Sequence, residues 1–352
     1  MRRRTAALLA AAATAGVLLA SGCASVGYVA QSVGGHLALV RQARPVADWL
    51  SDAQTPLDLR QRLQLTQKMR DFAVAELKLP DNSSYRQFAD LGRTAAVWNV
   101  VAAPELSLTL KTWCFPLMGC VGYRGYFDQA QATALAEQLR GQGLEASVYG
   151  VPAYSTLGWT DWLGGDPLLN TFIRWPEAQL AKLIFHELAH QVAYAADDTA
   201  FNESFATAVE RLGAQRWQAL SGRAIDDAPA QRRQAEFKAL TLGAREQLEQ
   251  LYQSDLPEAA KRQLKAELMA ALRARYELTK SQDWAGYAGY DRWMLEANNA
   301  TLAIQAAYDG LVPEFERLFV AHGSDFKRFY AEVQRLAALP KAQRRATLAG
   351  AG

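Results

Sequence analysis

This sequence contains few histidines, few cysteines and little net charge. Its 352 residues include four histidines and three cysteines, and 38 basic residues nearly balance 36 acidic ones. Such a balance gives no electrostatic reason to expect binding to nucleic acid. Beyond the N-terminus, no apolar run reaches the ~20 residues that span a membrane comfortably. Apolar side chains are abundant instead, at 50% of all residues, which is enough for a large core.

The N-terminal segment, MRRRTAALLAAAATAGVLLASGCAS, has the three parts of an export signal. Basic residues precede an apolar stretch, and small residues follow it. The ending ASGC, which closes at Cys23, resembles a bacterial lipobox, in which the cysteine becomes the lipidated first residue of the mature protein. We therefore expect a signal peptide over residues 1–22, a lipid anchor on Cys23, and a cell-envelope protein that faces the periplasm. Ala24 after the cysteine favours the outer membrane.

The other two cysteines, Cys114 and Cys120, lie in the stretch WCFPLMGCVGYRGYF. An exported chain meets an oxidising compartment, so these two can form a disulfide across the turn that Pro116 and Gly119 favour. The alternative is a pair of small buried apolar side chains at the end of a strand. No histidine lies near them in the sequence, which argues against a zinc site made from this pair.

The mature chain has three parts that differ in amino-acid composition. Helical spacing of apolar residues predicts an N-terminal helical segment over residues 23–92. Between about 94 and 155, β-branched and aromatic residues separated by Pro and Gly predict a small sheet of three or four strands, interrupted by one helix. From Pro176 onwards the composition is helical to the end. We expect an α+β, mainly α fold, with a catalytic region over 93–220 and a C-terminal helical bundle over 221–352 that packs on it.

The segment PEAQLAKLIFHELAHQVAY begins with residues typical of a helix start and continues for about five turns without a breaker. His186 and His190 are four residues apart and so share one face of this helix. Two imidazoles at this spacing can reach one metal ion, and Glu187 is turned to the side where a water can sit on that ion. The surrounding apolar residues bury the motif. The alternative is a purely structural motif, in which buried His and Glu need specific partners of their own.

Two neutral imidazoles and one carboxylate suit zinc, which takes three protein ligands in a catalytic site and keeps a fourth position for water. After the polar loop AADDTA a second helix begins, and Glu203 lies in its first turn. An antiparallel return of the chain can bring this carboxylate to the metal. Glu210, two turns further along the same face, is the alternative third ligand. The third histidine of the metzincin pattern is absent.

The joined pattern of HELAHQ with FNESFATAVE resembles the glutamate zincins, metallopeptidases that hold zinc with two histidines of one helix and a glutamate of the next. The longer run from WCFP through YRGYF and GVPAYSTLGW to FNESFATAVE is similar to a bacterial family of "putative aminopeptidases". This resemblance covers most of the chain after residue 90. It implies a zincin-like helical core, a zinc ion on His186, His190 and Glu203, and removal of residues from the amino end of peptides.

An aminopeptidase needs an anion to hold the free ammonium group of its substrate. The Gly-x-Met-Glu-Asn segment that serves a large family of zinc aminopeptidases is absent here. Asp161, Asp166, Asp197 and Asp198 are candidates for this anion, although roles as solvated loop residues and helix caps suit them better.

The sequence thus predicts a lipid-anchored zinc peptidase of the cell envelope that acts on peptides. Glu187 is the expected general base, and Tyr308 and Tyr290 are candidate donors to the oxyanion because they lie in the aromatic C-terminal part. A strand near GVPAYST is expected to present its edge to an extended peptide. The alternative function is a metal-binding lipoprotein that acts as an assembly or chaperone-like interaction module with little hydrolysis.

Overall fold

The computed structural model describes residue 28 and residues 31–115, 119–153, 165–221 and 228–350. The predicted α+β, mainly helical fold class is confirmed. The helices are α1 (31–42), α2 (Val46–Ser51), α3 (Leu57–Ala75), α4 (Gln129–Gly141), α5 (Glu177–Ala189), α6 (Thr199–Ser221), α7 (Ala228–Gln253), α8 (Glu258–Gln282), α9 (Asp291–Glu296), α10 (Asn299–Asp309), α11 (Val312–Ala321), α12 (Phe326–Ala337) and α13 (Lys341–Ala349). The strands are β1 (Arg44–Pro45), β2 (Gln87–Ala89), β3 (Val97–Pro104), β4 (Trp113–Phe115), β5 (Gly119–Val121), β6 (Arg124–Tyr126), β7 (Leu144–Val151) and β8 (Leu168–Leu169).

The main sheet has three antiparallel strands in the order β6-β3-β7 and lies in the part of the chain where a small sheet is predicted. Successive side chains of a strand point to opposite faces of the sheet. Val100 and Ala102 of β3 accordingly belong to the core under α4, whereas Val101 and Ala103 pack with residues of α10. Because α10 also packs on α6, one face of this sheet is turned towards the α6 helix.

Two smaller sheets accompany the main one. Strands β1, β2 and β8 form a mixed sheet, with β2 antiparallel to β1 and parallel to β8, which the sequence did not predict. Strands β4 and β5 pair with each other, and this pairing sets Cys114 directly opposite Cys120. The two cysteines are joined by a disulfide bond with Cα atoms 3.9 Å apart.

Helices α5 and α6 form a packed pair within the largest hydrophobic cluster. Pro176 is the N-cap of α5, as the helix-start signal predicts, but α5 ends at Ala189 with His190 as its C-cap. The helix is therefore shorter than the five turns predicted from its apolar run. The reason lies in the next helix, where the Asn202 amide donates to the carbonyl of Ala195 and accepts from its N–H, both at 2.8 Å. These two bonds hold the chain in a reversal that ends α5 early.

The C-terminal helices fall into two groups. Helices α7 and α8 form a hairpin with a small core of their own, which includes Phe237 and Tyr276. Helices α11 to α13 return to the main core, where Leu348 near the end of the chain joins the same cluster as Leu39 of α1. Within the described ranges, no helix has both the length and the apolar character needed to cross a membrane.

Candidate metal centre

Two histidines of α5 lie one turn apart and are both buried against α6. The rings of His186 and His190 meet edge-on with centroids 4.8 Å apart, and each residue is 8% exposed. Their neighbours Phe185 and Leu188 are fully buried, because α5 is apolar on nearly all sides. Buried imidazoles in such surroundings need polar partners. Those partners come from α6.

Glu203 of α6 completes a triangle with the two histidines. Its Oε2 atom lies 3.3 Å from Nε2 of His186 and 3.6 Å from Nε2 of His190, and the two Nε2 atoms are 3.2 Å apart. Zinc bonds of about 2.05 Å at tetrahedral angles separate neighbouring ligand atoms by about 3.3 Å. The three atoms thus have the spacing of three corners of a zinc tetrahedron, and the structure brings together the three predicted ligands.

Glu203 reaches the histidines because α6 starts immediately after the chain reverses. Asp198, directly before α6, accepts a hydrogen bond from the N–H of Phe201 at 3.2 Å and so stabilises the first turn of the helix. Glu203 follows one turn later and is 8% exposed. A short polar loop and a helix cap therefore place the carboxylate beside the two histidines of α5.

Glu210 contacts the outer nitrogen of one of the imidazoles. Its Oε2 lies 2.9 Å from Nδ1 of His186. A hydrogen bond from Nδ1 fixes the tautomer that leaves the lone pair of Nε2 free for a metal. Glu210 is therefore placed to orient His186 rather than to serve as the alternative third ligand. Nδ1 of His190 is buried and has no hydrogen-bond partner in the described part of the chain.

The histidines and glutamates of the centre shift one another's pKa values. Burial lowers the pKa of His186, but hydrogen bonds to Glu203 and Glu210 outweigh it and hold that pKa well above the ordinary value of histidine. Burial raises the pKa of Glu203, yet the charge of His190 and hydrogen bonds with both histidines bring it below the ordinary value of a carboxyl group. The proton that this arrangement holds on the histidine would have to leave for a metal to bind, so metal affinity would fall at acid pH.

Glu187 lies half-buried beside the ligand triangle, one residue after the first histidine. Burial raises its pKa, and the charges of His186 and His190 oppose this only in part. A carboxylate with a raised pKa is a better proton acceptor near neutral pH than an ordinary one. Its position and its pKa both suit a general base.

Three tyrosines from separate elements lie on the side of the centre that faces the main sheet. The ring of Tyr308 in α10 stacks on His186 with centroids 6.3 Å apart. Tyr149 in β7 accepts a hydrogen bond from the Asn99 amide at 3.5 Å, and Tyr123 precedes β6 and belongs to the same cluster as the other two. The predicted candidate Tyr308 therefore lies at the centre, whereas sequence reasoning missed Tyr123 and Tyr149.

All three phenols keep their protons near neutral pH. Burial is the main cause that raises the pKa of Tyr149 to about 12 and that of Tyr123 and Tyr308 well above the ordinary value, and the charge of Glu203 adds to each shift. A protonated phenol donates a hydrogen bond. The tyrosines thus supply neutral donors to a site that otherwise contains carboxylates and imidazoles.

The other candidate donor, Tyr290, is not brought to the ligands. Its ring stacks on Phe237 at 4.0 Å in the cluster of α7 and α8. The prediction of Tyr290 as a donor rested only on its position in an aromatic stretch. In the structure, the side chains of that stretch pack in the core of the α7–α8 hairpin. Two further predictions, a lipid on Cys23 and an anion at Asp161, fall on residues outside the described ranges.

Two of the remaining acidic candidates for an ammonium site are engaged elsewhere. Asp197 and Asp198 form ion pairs with Arg344 at 3.1 Å and 3.0 Å. Asp166 is buried, and its backbone N–H donates to the hydroxyl of Ser84 at 3.2 Å. The structure thus pairs Asp197 and Asp198 with an arginine, and Asp198 also caps α6, as its sequence position suggests. Asp166 is buried and is not the solvated loop residue that its sequence position suggests.

A family profile described as "Putative aminopeptidase" matches residues 27–348 of the chain. The matched range includes both helices of the candidate metal centre and all three tyrosines beside it. Comparisons with curated proteins and with solved structures give no match. Because the profile spans nearly the whole sequence, the chain belongs to this family of putative aminopeptidases.

Proposed function

We propose that the chain is a zinc-dependent peptidase, and that it releases residues from the amino end of peptides. The spacing of the three ligand atoms carries this proposal, because Nε2 of His186, Nε2 of His190 and a carboxylate oxygen of Glu203 all lie within 4.8 Å of one another. Two imidazoles and one carboxylate are a donor set that suits zinc and leaves a fourth position open for water. Membership of the aminopeptidase family supports the choice of peptides as substrates.

Zinc at this site would supply a Lewis acid that lowers the pKa of a water and polarises the scissile carbonyl. The protein would hold the ion through the three ligands above, and Glu210 would fix the ring of His186 through its Nδ1 atom. Glu187 would accept the proton of the attacking water and deliver it to the leaving amine. Its half-buried position and raised pKa suit both transfers.

The tyrosine side of the centre would stabilise the oxyanion that forms at the attacked carbonyl. Tyr308 is the first candidate because its ring lies against His186, and Tyr149 and Tyr123 adjoin it in the same cluster. Neutral donors in a partly buried site are effective at such a position, since they need no reorganisation when charge develops. Strand β7 overlaps the start of the segment GVPAYST, whose last residues lie outside the described ranges. Among the described strands β7 pairs with β3 alone, so its other edge would suit an extended peptide.

The test separates metal binding from proton transfer. Glu187→Gln should keep its zinc and lose at least about 100-fold in kcat, because proton transfer by a positioned base contributes about 10²–10⁴-fold. Zinc is measured by elemental analysis after dialysis, and cleavage is measured as new amino termini from a mixed peptide library. Glu267→Gln, on the exposed face of α8, is the matched control and should change neither quantity. Cleavage that persists in Glu187→Gln at the wild-type rate would refute the mechanism.

We also propose that the protein is lipid-anchored in the cell envelope through Cys23 and faces the periplasm. The support is the N-terminal sequence, with its basic start, apolar stretch and small residues before the cysteine. A disulfide between Cys114 and Cys120 agrees with a chain that folds in an oxidising compartment.

A further inference from the structure

A second concave site adjoins the metal centre along the seam between α5 and α6. It is a cavity of about 320 Å³ with walls from α5, the middle of α6, the first turns of α7 and the loop before α9. Glu210 links the two sites, because it lines this cavity and also contacts Nδ1 of His186. Apart from Glu210, the residues that line this cavity have no part in the mechanism proposed above.

The cavity lies on the same face of α5 as the metal ligands. Lys182 and Leu183 line it, and they precede His186 by four and three residues, which places them one helical turn away on one stripe. At 1.5 Å of rise per residue, the Lys182 position is about 6 Å from the His186 position along the helix. An extended peptide covers about 3.3–3.6 Å per residue. If the cleaved bond of a peptide is held at the metal, the cavity is therefore reached by the first or second residue after that bond.

Two cationic side chains meet in this cavity. Lys182 lies on the α5 wall and Arg233 on the α7 wall. Over the ranges that the structure describes, neither has an acidic ion-pair partner, and Nε of Arg233 is buried without a hydrogen-bond acceptor. The single carboxylate of the wall is Glu210, which is already engaged by His186 at the metal end. The α7 end of the cavity thus has positive charge and unused donors.

Aromatic rings hold Arg233 in place. Its guanidinium lies 4.5 Å from the ring centroid of Tyr287, and that ring meets Tyr290 edge-on with centroids 5.8 Å apart. A guanidinium stacked on a ring keeps its N–H groups in one plane, the geometry that suits a carboxylate. Leu183, Trp175 and the two tyrosines make part of the wall apolar, and three glutamines add polar groups to it, namely Gln179, Gln231 and Gln234. That wall suits the side chain of a residue whose carboxylate reaches the cations.

We infer that this cavity binds the C-terminal carboxylate of a short peptide, through Arg233 and Lys182, with one or two residues between that carboxylate and the cleaved bond. The inference rests on the proposed peptidase function and narrows its substrate class to peptides of two to three residues. Tyr290, which does not reach the metal ligands, contributes to this second site instead. A longer peptide places its carboxylate beyond the cavity and gains nothing from it.

The experiment compares a free carboxylate with an amide in the zinc-loaded mature protein. Wild-type kcat/KM should be at least about tenfold higher for Ala-Ala-Leu than for its C-terminal amide, because a hydrogen bond to a charged group contributes about 1.5–3 kcal/mol. For an octapeptide with the same first three residues, the acid and the amide should be cleaved at similar rates. Arg233→Gln should bring the tripeptide ratio close to one, and Arg233→Lys should retain part of it.

Arg232→Gln is the matched control. Arg232 neighbours Arg233 in sequence, but its side chain is exposed and pairs with Glu236 at 2.7 Å. This variant should leave the ratio of acid to amide unchanged. Thermal unfolding of each variant checks that the fold is retained.

A binding measurement separates the two proposals. In zinc-loaded Glu187→Gln, calorimetry should give a Kd for the Ala-Ala-Leu acid at least about tenfold below that for the amide. If the wild type cleaves acid and amide equally, or if Arg233→Gln slows both alike, the carboxylate site is wrong and the peptidase stands. If no peptide is cleaved but the acid still binds more tightly, the peptidase is wrong and the carboxylate site stands. If neither form binds nor is cleaved, both are wrong.

Discussion

At the scale of the residue, two glutamates of α6 that lie seven residues apart are placed for different tasks. The Oε2 atom of Glu203 lies near both Nε2 atoms, whereas that of Glu210 lies 2.9 Å from Nδ1 of His186. One is therefore placed as a ligand and the other as the residue that orients a ligand. Metal affinity should depend on both, but to different degrees.

Glu203→Gln should weaken zinc binding by at least about 100-fold, since it removes the anionic ligand. Glu210→Gln should weaken it by about 10- to 100-fold, the usual range for the partner of a ligating histidine. Competition with a chromophoric chelator at fixed pH measures both. Glu137→Gln, exposed on α4, is the control and should bind zinc like the wild type. A larger loss in Glu210→Gln than in Glu203→Gln would reverse the two assignments.

The sequence predicts the candidate ligands of this centre, which the structure brings together, much better than the residues around them. His186, His190 and Glu203 follow from local rules, because helical spacing and one short loop determine where they lie. Tyr149 comes from β7 and Tyr123 from the residues just before β6, both far from Glu203 in the chain, and the packing of the sheet on α10 brings them within range of its charge. The spacing of residues along the sequence does not predict contacts of this kind.

At the scale of the element, the start of α6 depends on the last helix of the chain. Asp198 is 1% exposed at its side chain and pairs with Arg344 at 3.0 Å and also with Arg345. Burial raises the pKa of Asp198, but the ion pair with Arg345 and the N–H of Phe201 outweigh it and bring that pKa below its ordinary value. The ionised carboxylate is thus the form that the folded protein favours.

Asp198→Asn should lower the free energy of unfolding by about 3 kcal/mol at pH 7, because it removes the buried charge partner of Arg344 and leaves only the exposed Asp197 to pair with that guanidinium. A depressed folded-state pKa contributes stability above the unfolded value near 3.9, and that contribution is lost as pH falls through the folded pKa. The difference from wild type should therefore stay constant between pH 7 and pH 5 and shrink below about pH 4. Urea unfolding over this range measures it.

Asp197→Asn provides the comparison for this prediction. Asp197 pairs with the same arginine, but its side chain is 55% exposed, and exposed pairs contribute about 0–1 kcal/mol. Its loss should be small at every pH. An equal loss in the two variants would show that burial of the ion pair is not the source of the stability.

The ends of helices could be predicted where a residue next to them, such as a proline or a glycine, indicates a helix start or stop. The N-cap position of Pro176 and the apolar spacing after it predict the start of α5, and the glycine after α4 predicts its end. The end of α5 was missed because the Asn202 amide, on the next helix, holds the reversal. Strands β1, β2 and β8 have two or three residues each, too few to show an alternating pattern.

At the scale of the whole molecule, the lipid anchor is the part of the proposal that can be tested without any assay of activity. Cells given a fatty-acid analogue should incorporate it into the wild-type protein, and Cys23→Ser should abolish the label. Replacement of both Cys114 and Cys120 by serine should leave the label in place, since the disulfide lies in a separate part of the chain. Label that persists in Cys23→Ser would exclude this anchor.

The shared core of α1 and α11 to α13 links distant parts of the chain to the start of α6. Leu39 and Leu348 belong to one cluster, and Arg344 and Arg345 hold the start of the helix that bears Glu203. Contacts between the two ends of a chain form late, because the entropy of closing so long a loop must be overcome first. A nascent or truncated chain that stops before α13 lacks the partners of Asp198. Loss of these ion pairs would weaken the start of the helix that bears Glu203, far from α13 in the sequence.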